Sequence, residues 1–146
     1  MFLAKPRKNE IKINRKISNK VDELQWKTIK FLTNNYKTIF LGNMSAKNIV
    51  SKKSSVLGNV QKVACLRTKF YQFQQRLEYK CQLNKIHFEY IDESYTSKTC
   101  SMCGYYNSNL GSSKYLMCDD CKYIIDRDIN GARNIYVKHF CLQENN

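Results

Sequence analysis

The fold of this chain is decided by two cysteine pairs, C-S-M-C at residues 100–103 and C-D-D-C at residues 118–121. Each C-x-x-C turn directs two thiolates toward one centre about 2.3 Å away, and two such turns complete a tetrahedron. Gly104 directly follows the first pair, where a residue without a side chain helps the turn to close. The spacing therefore predicts a structural zinc site whose ligands are Cys100, Cys103, Cys118 and Cys121.

Two alternatives stay open for these cysteines: two unrelated pairs, or a redox-active C-x-x-C. Disulfides are a poor alternative because the chain has seven cysteines, an odd number. The remaining three, Cys65, Cys81 and Cys141, lie at apolar helical positions, and we expect them to be buried small hydrophobic residues.

The charge of the chain is unevenly distributed. Its 146 residues carry a formal net charge of +13, and residues 1–90 hold 19 of the 25 Lys and Arg but five of the 12 acidic residues. Such a basic half predicts a polyanionic partner, and the alternative is a solvated Lys-rich surface. No window approaches about 18 consecutive apolar residues, and the N-terminus lacks a secretory leader, so we expect an intracellular protein without a membrane partner.

Hydrophobic periodicity predicts two amphipathic helices, each followed by a strand. The helices cover residues 17–35 and 60–84, the strands cover 37–41 and 86–91, and residues 43–58 form a mobile basic loop. The predicted buried positions are Ile17, Val21, Leu24, Phe31, Leu32, Val63, Leu66, Phe70, Phe73, Leu77 and Cys81. The second helix is predicted to direct Lys62, Arg67, Lys69, Arg76 and Lys80 outward.

Residues 94–125 are predicted to form a zinc ribbon, with strands near 105–110 and 114–117 between the two cysteine turns. A final helix follows, beginning at Asp126 or Asp128 and burying a face that contains Ala132, Ile135 and Phe140. The ribbon is too small to hold a core of its own, so we expect its folding to depend on metal more than on apolar burial.

Three segments together resemble a known protein family. The run E-S-Y-T-S-K-T-C-S-M-C-G (93–104), the second cysteine pair, and D-R-D-I-N-G-A-R-N-I (126–135) occur in the order and at the spacing of TnpB proteins. TnpB proteins are transposon-encoded, RNA-guided DNA nucleases, and the Fanzor proteins are their eukaryotic and giant-virus relatives. The strong resemblance covers about residues 86–138, and residues 17–85 resemble the family more loosely.

The resemblance implies an α/β fold, namely a partial RNase H-like (RuvC-type) domain with an inserted four-cysteine zinc ribbon. Residues 1–93 would form the basic helix-strand-helix-strand part of the nuclease domain. Residues 94–125 would form the ribbon, and residues 126–146 the C-terminal helix that completes the RuvC-like part. Its partners would be DNA, a guide RNA and an N-terminal nuclease fragment.

In this family three carboxylates hold two Mg²⁺ ions, which prefer oxygen ligands. The third acidic motif maps onto Asp128. The second motif normally ends the strand that reads Ile39-Phe40-Leu41, but Gly42 follows here. In Fanzor-like members a Glu just before Tyr-Thr-Ser-Lys-Thr-Cys takes this role, and it maps onto Glu93, next to Asp92. The alternatives are a helix cap for Asp128 and a solvated strand end for Glu93.

The first catalytic Asp of the family lies on an early strand, and residues 1–16 contain no Gly-Ile-Asp-like strand. We therefore expect a truncated nuclease that lacks the guide-binding domains, binds Mg²⁺ only if its site is completed, and is inactive alone. The alternatives are a non-catalytic zinc-ribbon nucleic-acid-binding protein and a subunit of a split nuclease. In each case the expected phosphate contacts are Lys52, Lys53, Arg67, Lys98 and Arg127, although Arg127 has a second candidate partner in Asp126.

Overall fold

The structure is a computed structural model that describes residues 7–43, 58–108, 111 and 113–143. Its elements in chain order are α1 (Lys8–Asn35), β1 (Thr38–Gly42), α2 (Asn59–Arg67), α3 (Phe70–Leu83), β2 (His87–Ile91), β3 (Tyr115–Met117), β4 (Ile124–Asp126) and α4 (Arg127–Gln143). One compact unit contains α1, α2 and α3, another contains β3, β4 and α4, and the β1 and β2 strands have residues in both. The domain limits read from the sequence remain a prediction. None of the described helices is long and apolar enough to cross a membrane.

Helix α1 is longer than predicted, and its predicted buried face was only partly correct, because Ile17, Val21 and Leu32 are partly buried. Its buried residues are Gln25 and Ile29, whereas Leu24 and Phe31, predicted to be buried, are 65% and 57% exposed. The reason is a polar contact that apolar periodicity does not reveal: the Gln25 amide donates hydrogen bonds to the carbonyl oxygens of Thr68 (2.7 Å) and Lys69 (3.2 Å).

The helix predicted over residues 60–84 is two helices, α2 and α3, and this prediction was wrong. Lys69 breaks it by adopting a left-handed backbone conformation with φ of +52°. The Lys69 ammonium lies 2.7 Å from the Asp22 carboxylate, and the Arg76 guanidinium lies 2.8 Å from its other oxygen. Lys69 and Arg76 therefore bind α1 instead of facing outward as predicted. These two cations also lower the pKa of Asp22.

Strands β1 and β2 pair with each other, which confirms both predicted strands. The His87 N–H donates to the Lys37 carbonyl oxygen at 3.0 Å, and the Asn43 N–H donates to the Ile91 carbonyl oxygen at 2.9 Å. Because the lower-numbered ends of the two strands lie together, the strands run parallel. Parallel neighbours require a long crossover connection, which here contains α2 and α3.

Strands β3 and β4 form an antiparallel pair in which Leu116 lies opposite Ile125. Both side chains are buried and form a small apolar cluster with Cys100 and Cys118. The sequence predicted a strand near 105–110 as the other strand of the ribbon, and this was wrong for the described residues 105–108. That segment closes the first cysteine turn instead, because the Asn107 N–H donates to the Lys98 carbonyl oxygen at 2.9 Å.

Helix α4 buries polar residues. Asn130, Asn134 and His139 are buried, whereas Ala132 is exposed and Phe140 is 45% exposed, so the predicted apolar face was only partly correct. Among the three extra cysteines, Cys81 is buried as predicted and Cys65 is partly buried. Cys141 is exposed, contrary to the prediction.

Candidate functional site

The four predicted cysteines converge on one point. Their Sγ atoms all lie within 4.8 Å of one another, with Cys100 and Cys121 at 3.7 Å and Cys103 and Cys118 at 3.6 Å. A tetrahedral ion with four bonds of about 2.3 Å places its sulfur ligands about 3.8 Å apart. The donor set and its spacing thus fit a single tetrahedral metal ion, and the cluster can hold one.

Two equivalent turns present these thiols. The Gly104 N–H donates to the Cys100 carbonyl oxygen at 2.9 Å, and the Lys122 N–H donates to the Cys118 carbonyl oxygen at 3.1 Å. The residue that follows each pair has positive φ, +77° at Gly104 and +60° at Lys122. Glycine meets this requirement without strain, and Lys122 meets it despite its side chain.

The cluster favours thiolate formation at one position. Burial raises the pKa of the Cys118 thiol, but hydrogen bonds with the backbone N–H groups of Cys121 and Asp120 and with the Cys103 and Cys121 side chains together lower this pKa to about 7. Metals bind cysteine as the thiolate, so a pKa near neutrality assists metal capture. Cys100 and Cys118 are buried, whereas Cys103 and Cys121 are exposed, which leaves one side of the cluster open to solvent.

Two asparagines of α4 bind the segment that leads into the first cysteine turn. The Asn130 amide donates to the Thr99 carbonyl oxygen at 2.7 Å and to that of Thr96 at 3.3 Å. The Asn134 amide donates to both oxygens at 2.7 Å. The Asn130 side-chain oxygen also accepts the Ser101 N–H at 2.9 Å. We call Asn130 and Asn134 the asparagine clamp.

Sequence analysis missed the clamp. The signal was available as two asparagines four residues apart, which share one face of a helix. Asparagine is a weak helix former and is usually exposed, so its presence twice on the buried face of α4 marks a specific hydrogen-bonding role.

Glu93 lies just beyond the end of β2 and contacts the end of β1. A Cβ atom added to Gly42 would lie 2.6 Å from the Glu93 carboxylate oxygen Oε2 and 3.3 Å from the Cδ1 atom of Ile135 in α4. The carboxylate therefore occupies the space beside Gly42 that any side chain there would enter. Burial, and then the charge of Asp92, raise the pKa of Glu93.

The neighbouring Asp92 is engaged elsewhere. The Lys138 ammonium lies 3.0 Å from the Asp92 carboxylate, which also accepts the Ser94 hydroxyl at 2.7 Å. Ser94, and then Lys138, lower the pKa of Asp92 to about 2. Within the described ranges, no ion pair or side-chain hydrogen bond engages the Glu93 carboxylate. Of these two adjacent acids, Glu93 is the one whose oxygens remain available.

Asp128 lies in the first turn of α4 with an exposed side chain. The helix cap belongs to Asp126, whose Oδ1 accepts the N–H groups of Asp128 (2.9 Å) and Ile129 (3.4 Å). The capping alternative for Asp128 was therefore wrong. In the part of the chain that the structure describes, the cysteine cluster is the only group of three or more potential metal ligands. No such group there contains Glu93 or Asp128.

The predicted phosphate contacts are dispersed. Lys52 and Lys53 lie outside the described residues. The Arg67 guanidinium donates to the Asn14 side-chain oxygen at 3.0 Å, and the Lys98 ammonium donates to the Ser108 carbonyl oxygen at 3.2 Å. Arg127 donates to the Gly111 carbonyl oxygen at 3.0 Å, a different partner from the predicted Asp126. These three bonds are exposed, so the cations can exchange them for other acceptors.

Comparisons with known proteins indicate the same family as the sequence motifs. The family model "Cas12f1-like, TNB domain" matches residues 70–135. TnpB-like protein L79 of Acanthamoeba polyphaga mimivirus is 35% identical over 85% of this chain and 24% of its own length. Putative transposase A625R of Paramecium bursaria Chlorella virus 1 is 34% identical over 92% of this chain and 30% of its own length. The chain thus spans about a quarter to a third of these curated relatives.

A solved structure is similar as well. The protein in the cryo-EM structure of the Cas12f1–sgRNA–target DNA complex superimposes with a TM-score of 0.53 at 26% identity, covering 88% of this chain and 34% of that one. The sequence matches and the shared mixed helix and strand architecture confirm the resemblance that the motifs indicated. This chain is a relative of the TnpB-like and transposase-related proteins.

Proposed function

We propose that this chain forms the metal-bearing part of a RuvC-type DNA nuclease and contributes Glu93 and Asp128 to its active site. The contact between Glu93 and Gly42 carries the proposal. The TnpB resemblance implies a carboxylate at the end of β1, where this chain has Gly42. The Glu93 Oε2 atom lies beside Gly42, which supports the proposal that Glu93, just beyond the neighbouring strand, supplies this carboxylate.

The chemistry of the two acids suits Mg²⁺, which prefers carboxylate oxygens. Such an ion would polarise a phosphodiester and lower the pKa of an attacking water. Glu93 and Asp128 fit this role as oxygen donors, but neither belongs to a group of three potential metal ligands among the described residues. We therefore propose that the chain alone does not cleave DNA and that a further carboxylate must come from a separate segment.

The cysteine cluster is proposed to hold a structural Zn²⁺. Four thiolates leave no coordination position for substrate, which is typical of structural rather than catalytic zinc. The buried apolar cluster around it consists of Leu116, Ile125 and two of the cysteines, with the partly buried Tyr123 packed against it. Because so little apolar surface is buried, the ion supplies much of the folding free energy of this zinc ribbon.

Nucleic acid is the proposed partner, and the positive charge supports it. The excess of Lys and Arg in residues 1–90 attracts a polyanion. The similar Cas12f1 was solved with a guide RNA and a target DNA, and we extend both partners to this chain. Phosphate contacts are assigned to Lys52, Lys53, Arg67, Lys98 and Arg127.

Complementation in trans tests the proposal. The full chain is mixed with Mg²⁺, DNA and the part of TnpB-like protein L79 that does not align with this chain. The mixture should cleave DNA, and neither piece should do so alone. Glu93→Ala and Asp128→Ala should each abolish cleavage, whereas Asp92→Ala, the matched control, should retain it.

Metal analysis accompanies the cleavage assay, with about one Zn²⁺ per chain expected in all of these variants. Cleavage by the isolated chain that is lost in Asp128→Ala would refute the incomplete-site proposal. DNA binding without cleavage in any mixture would instead favour the second candidate, a non-catalytic zinc-ribbon nucleic-acid-binding protein, which the positive charge also supports.

A further inference from the structure

The asparagine clamp joins three parts of one unit that are distant in sequence. Asn130 belongs to the helix that carries Asp128, two residues earlier. It binds the Ser101 N–H inside the first cysteine turn and the carbonyl oxygens of Thr96 and Thr99. Asn130 is 0% exposed, so its side-chain amide is shielded from water.

The segment from Glu93 to Thr99 is itself a closed turn. The Glu93 carbonyl oxygen accepts both the N–H (3.2 Å) and the hydroxyl (2.7 Å) of Thr96. The Tyr95 carbonyl oxygen accepts both the N–H (3.1 Å) and the hydroxyl (3.0 Å) of Thr99. Displacing the Thr96 and Thr99 carbonyls therefore displaces the backbone of Glu93.

Only an amide satisfies these partners. The Asn130 side chain presents its NH₂ group to two carbonyl oxygens and its oxygen to an N–H, so donors and acceptors are matched. An aspartate of the same shape would place an oxygen against those carbonyls without a proton to donate. In a buried position this mismatch is costly, because water cannot replace the missing partner.

We propose that Asn130 and Asn134 are positioning residues that couple metal occupancy of the cysteine cluster to the placement of Glu93 and Asp128. When the metal leaves, the first cysteine turn loosens and the bond from Ser101 to Asn130 weakens. The turn at 93–99 and the first turn of α4 then lose a shared anchor. The catalytic meaning of this coupling rests on the proposed nuclease function, but the coupling itself does not.

Hydrogen exchange of the full chain tests the coupling without any cleavage assay. The reporters are the amides of Thr96, Lys98 and Thr99 in the turn and that of Asn134 in α4. Removing zinc from the wild-type chain with a chelator should speed their exchange at least about tenfold, as expected for loss of a buried hydrogen-bond anchor. The amides of α1 should be unaffected.

The Asn130→Asp variant should show fast exchange at the same reporters even with zinc bound. Its zinc affinity, measured by competition with a colorimetric chelator, should fall about 10- to 100-fold. The variant keeps an oxygen that can accept the Ser101 N–H, but its second oxygen is repelled by the Thr96 and Thr99 carbonyl oxygens, which displaces the segment leading into Cys100. Val137→Ala is the matched control: this residue lies on the same helix as the clamp, and its side chain is 46% exposed. It should leave exchange at 93–99 unchanged.

If the Asn130→Asp variant does not fold, Asn134→Ala replaces it as the test of the clamp. It keeps the Ser101 bond but removes one donor from each carbonyl, and should speed exchange of the turn while leaving zinc affinity nearly unchanged. The proposal would be overturned if zinc removal left the exchange rates of the reporter amides in the wild-type chain unchanged. It would also be overturned if the clamp variants exchanged at the wild-type rate with zinc bound. If hydrogen exchange shows the coupling but no complemented mixture cleaves DNA, the proposed nuclease function is refuted and the coupling still stands.

Discussion

Replacing Gly42 with alanine tests whether the Glu93 carboxylate really lies against the end of β1. The new methyl group would lie 2.6 Å from Glu93 Oε2 and 3.0 Å from its Cδ, whereas ordinary contacts of Cβ atoms begin at 3.4 Å. The carboxylate must therefore withdraw by about 0.8 Å. Because it is the end of a flexible side chain, the cost should be small, about 1 kcal/mol, the lower end for overpacking.

Thermal unfolding of the zinc-loaded chain measures this cost. About 1 kcal/mol corresponds to a decrease in Tm of about 2–4 °C for a domain of this size. In a Glu93→Ala background most of the decrease should vanish, since only the 3.3 Å approach to Ile135 remains. Gly111→Ala is the control, because a Cβ there meets no atom of the described residues within 4 Å.

Activity should respond far more strongly than stability. In a complemented, cleaving enzyme, displacing a catalytic carboxylate by nearly 1 Å is expected to lower the rate by about 100-fold. The reasoning is refuted if Gly42→Ala costs the same stability with and without Glu93. Such a result would mean that the methyl group clashes with something other than this carboxylate.

Three further predictions concern other groups. Asp126→Ala should lower stability by about 1 kcal/mol through loss of the α4 cap, whereas Asp128→Ala should leave it nearly unchanged in denaturant titrations; equal losses would contradict the cap assignment. Because the pKa of Glu93 is raised in the native state, the native state loses stability as pH rises through that pKa. Glu93→Gln should therefore be more stable than wild type near neutral pH. Below the ordinary carboxyl pKa of about 4.3 the two proteins should be equally stable. A gain that is independent of pH would contradict this. Binding to DNA should weaken steeply as salt concentration rises. Reversing Lys52, Lys53 and Arg67 to Glu should lower the slope of log binding constant against log salt concentration by about 0.9 for each lost phosphate contact, and equally for all DNA sequences.

The cysteine cluster could be predicted from sequence because its geometry is local. Two residues between the cysteines of each pair fix the turn, and the chemistry of thiolates then fixes the number of ligands. Strands β1 and β2 were also predictable, since short apolar runs next to Gly42 and Asp92 mark where each ends.

The helix faces were harder to predict because polar contacts determine them. No glycine or proline marks the break at Lys69, which is held by the pairing of Lys69 and Arg76 with Asp22, about 50 positions away in sequence. Likewise Asn130 is buried because of carbonyl groups more than 30 positions earlier. Apolar periodicity predicts which hydrophobic side chains are buried, but it does not predict polar side chains that are buried by hydrogen bonds or ion pairs with one another.

The parallel pairing of β1 and β2 has a consequence for the order of folding. The pairs from Lys37 to His87 and from Asn43 to Ile91 close loops of about 50 residues, whereas β3 and β4 meet across a connection of six residues. Closing a long loop costs more chain entropy than closing a short one, and contacts distant in sequence slow folding. The hairpin of β3 and β4 is therefore expected to form early. The β1–β2 pair, and with it the contact between Gly42 and Glu93, would be completed late.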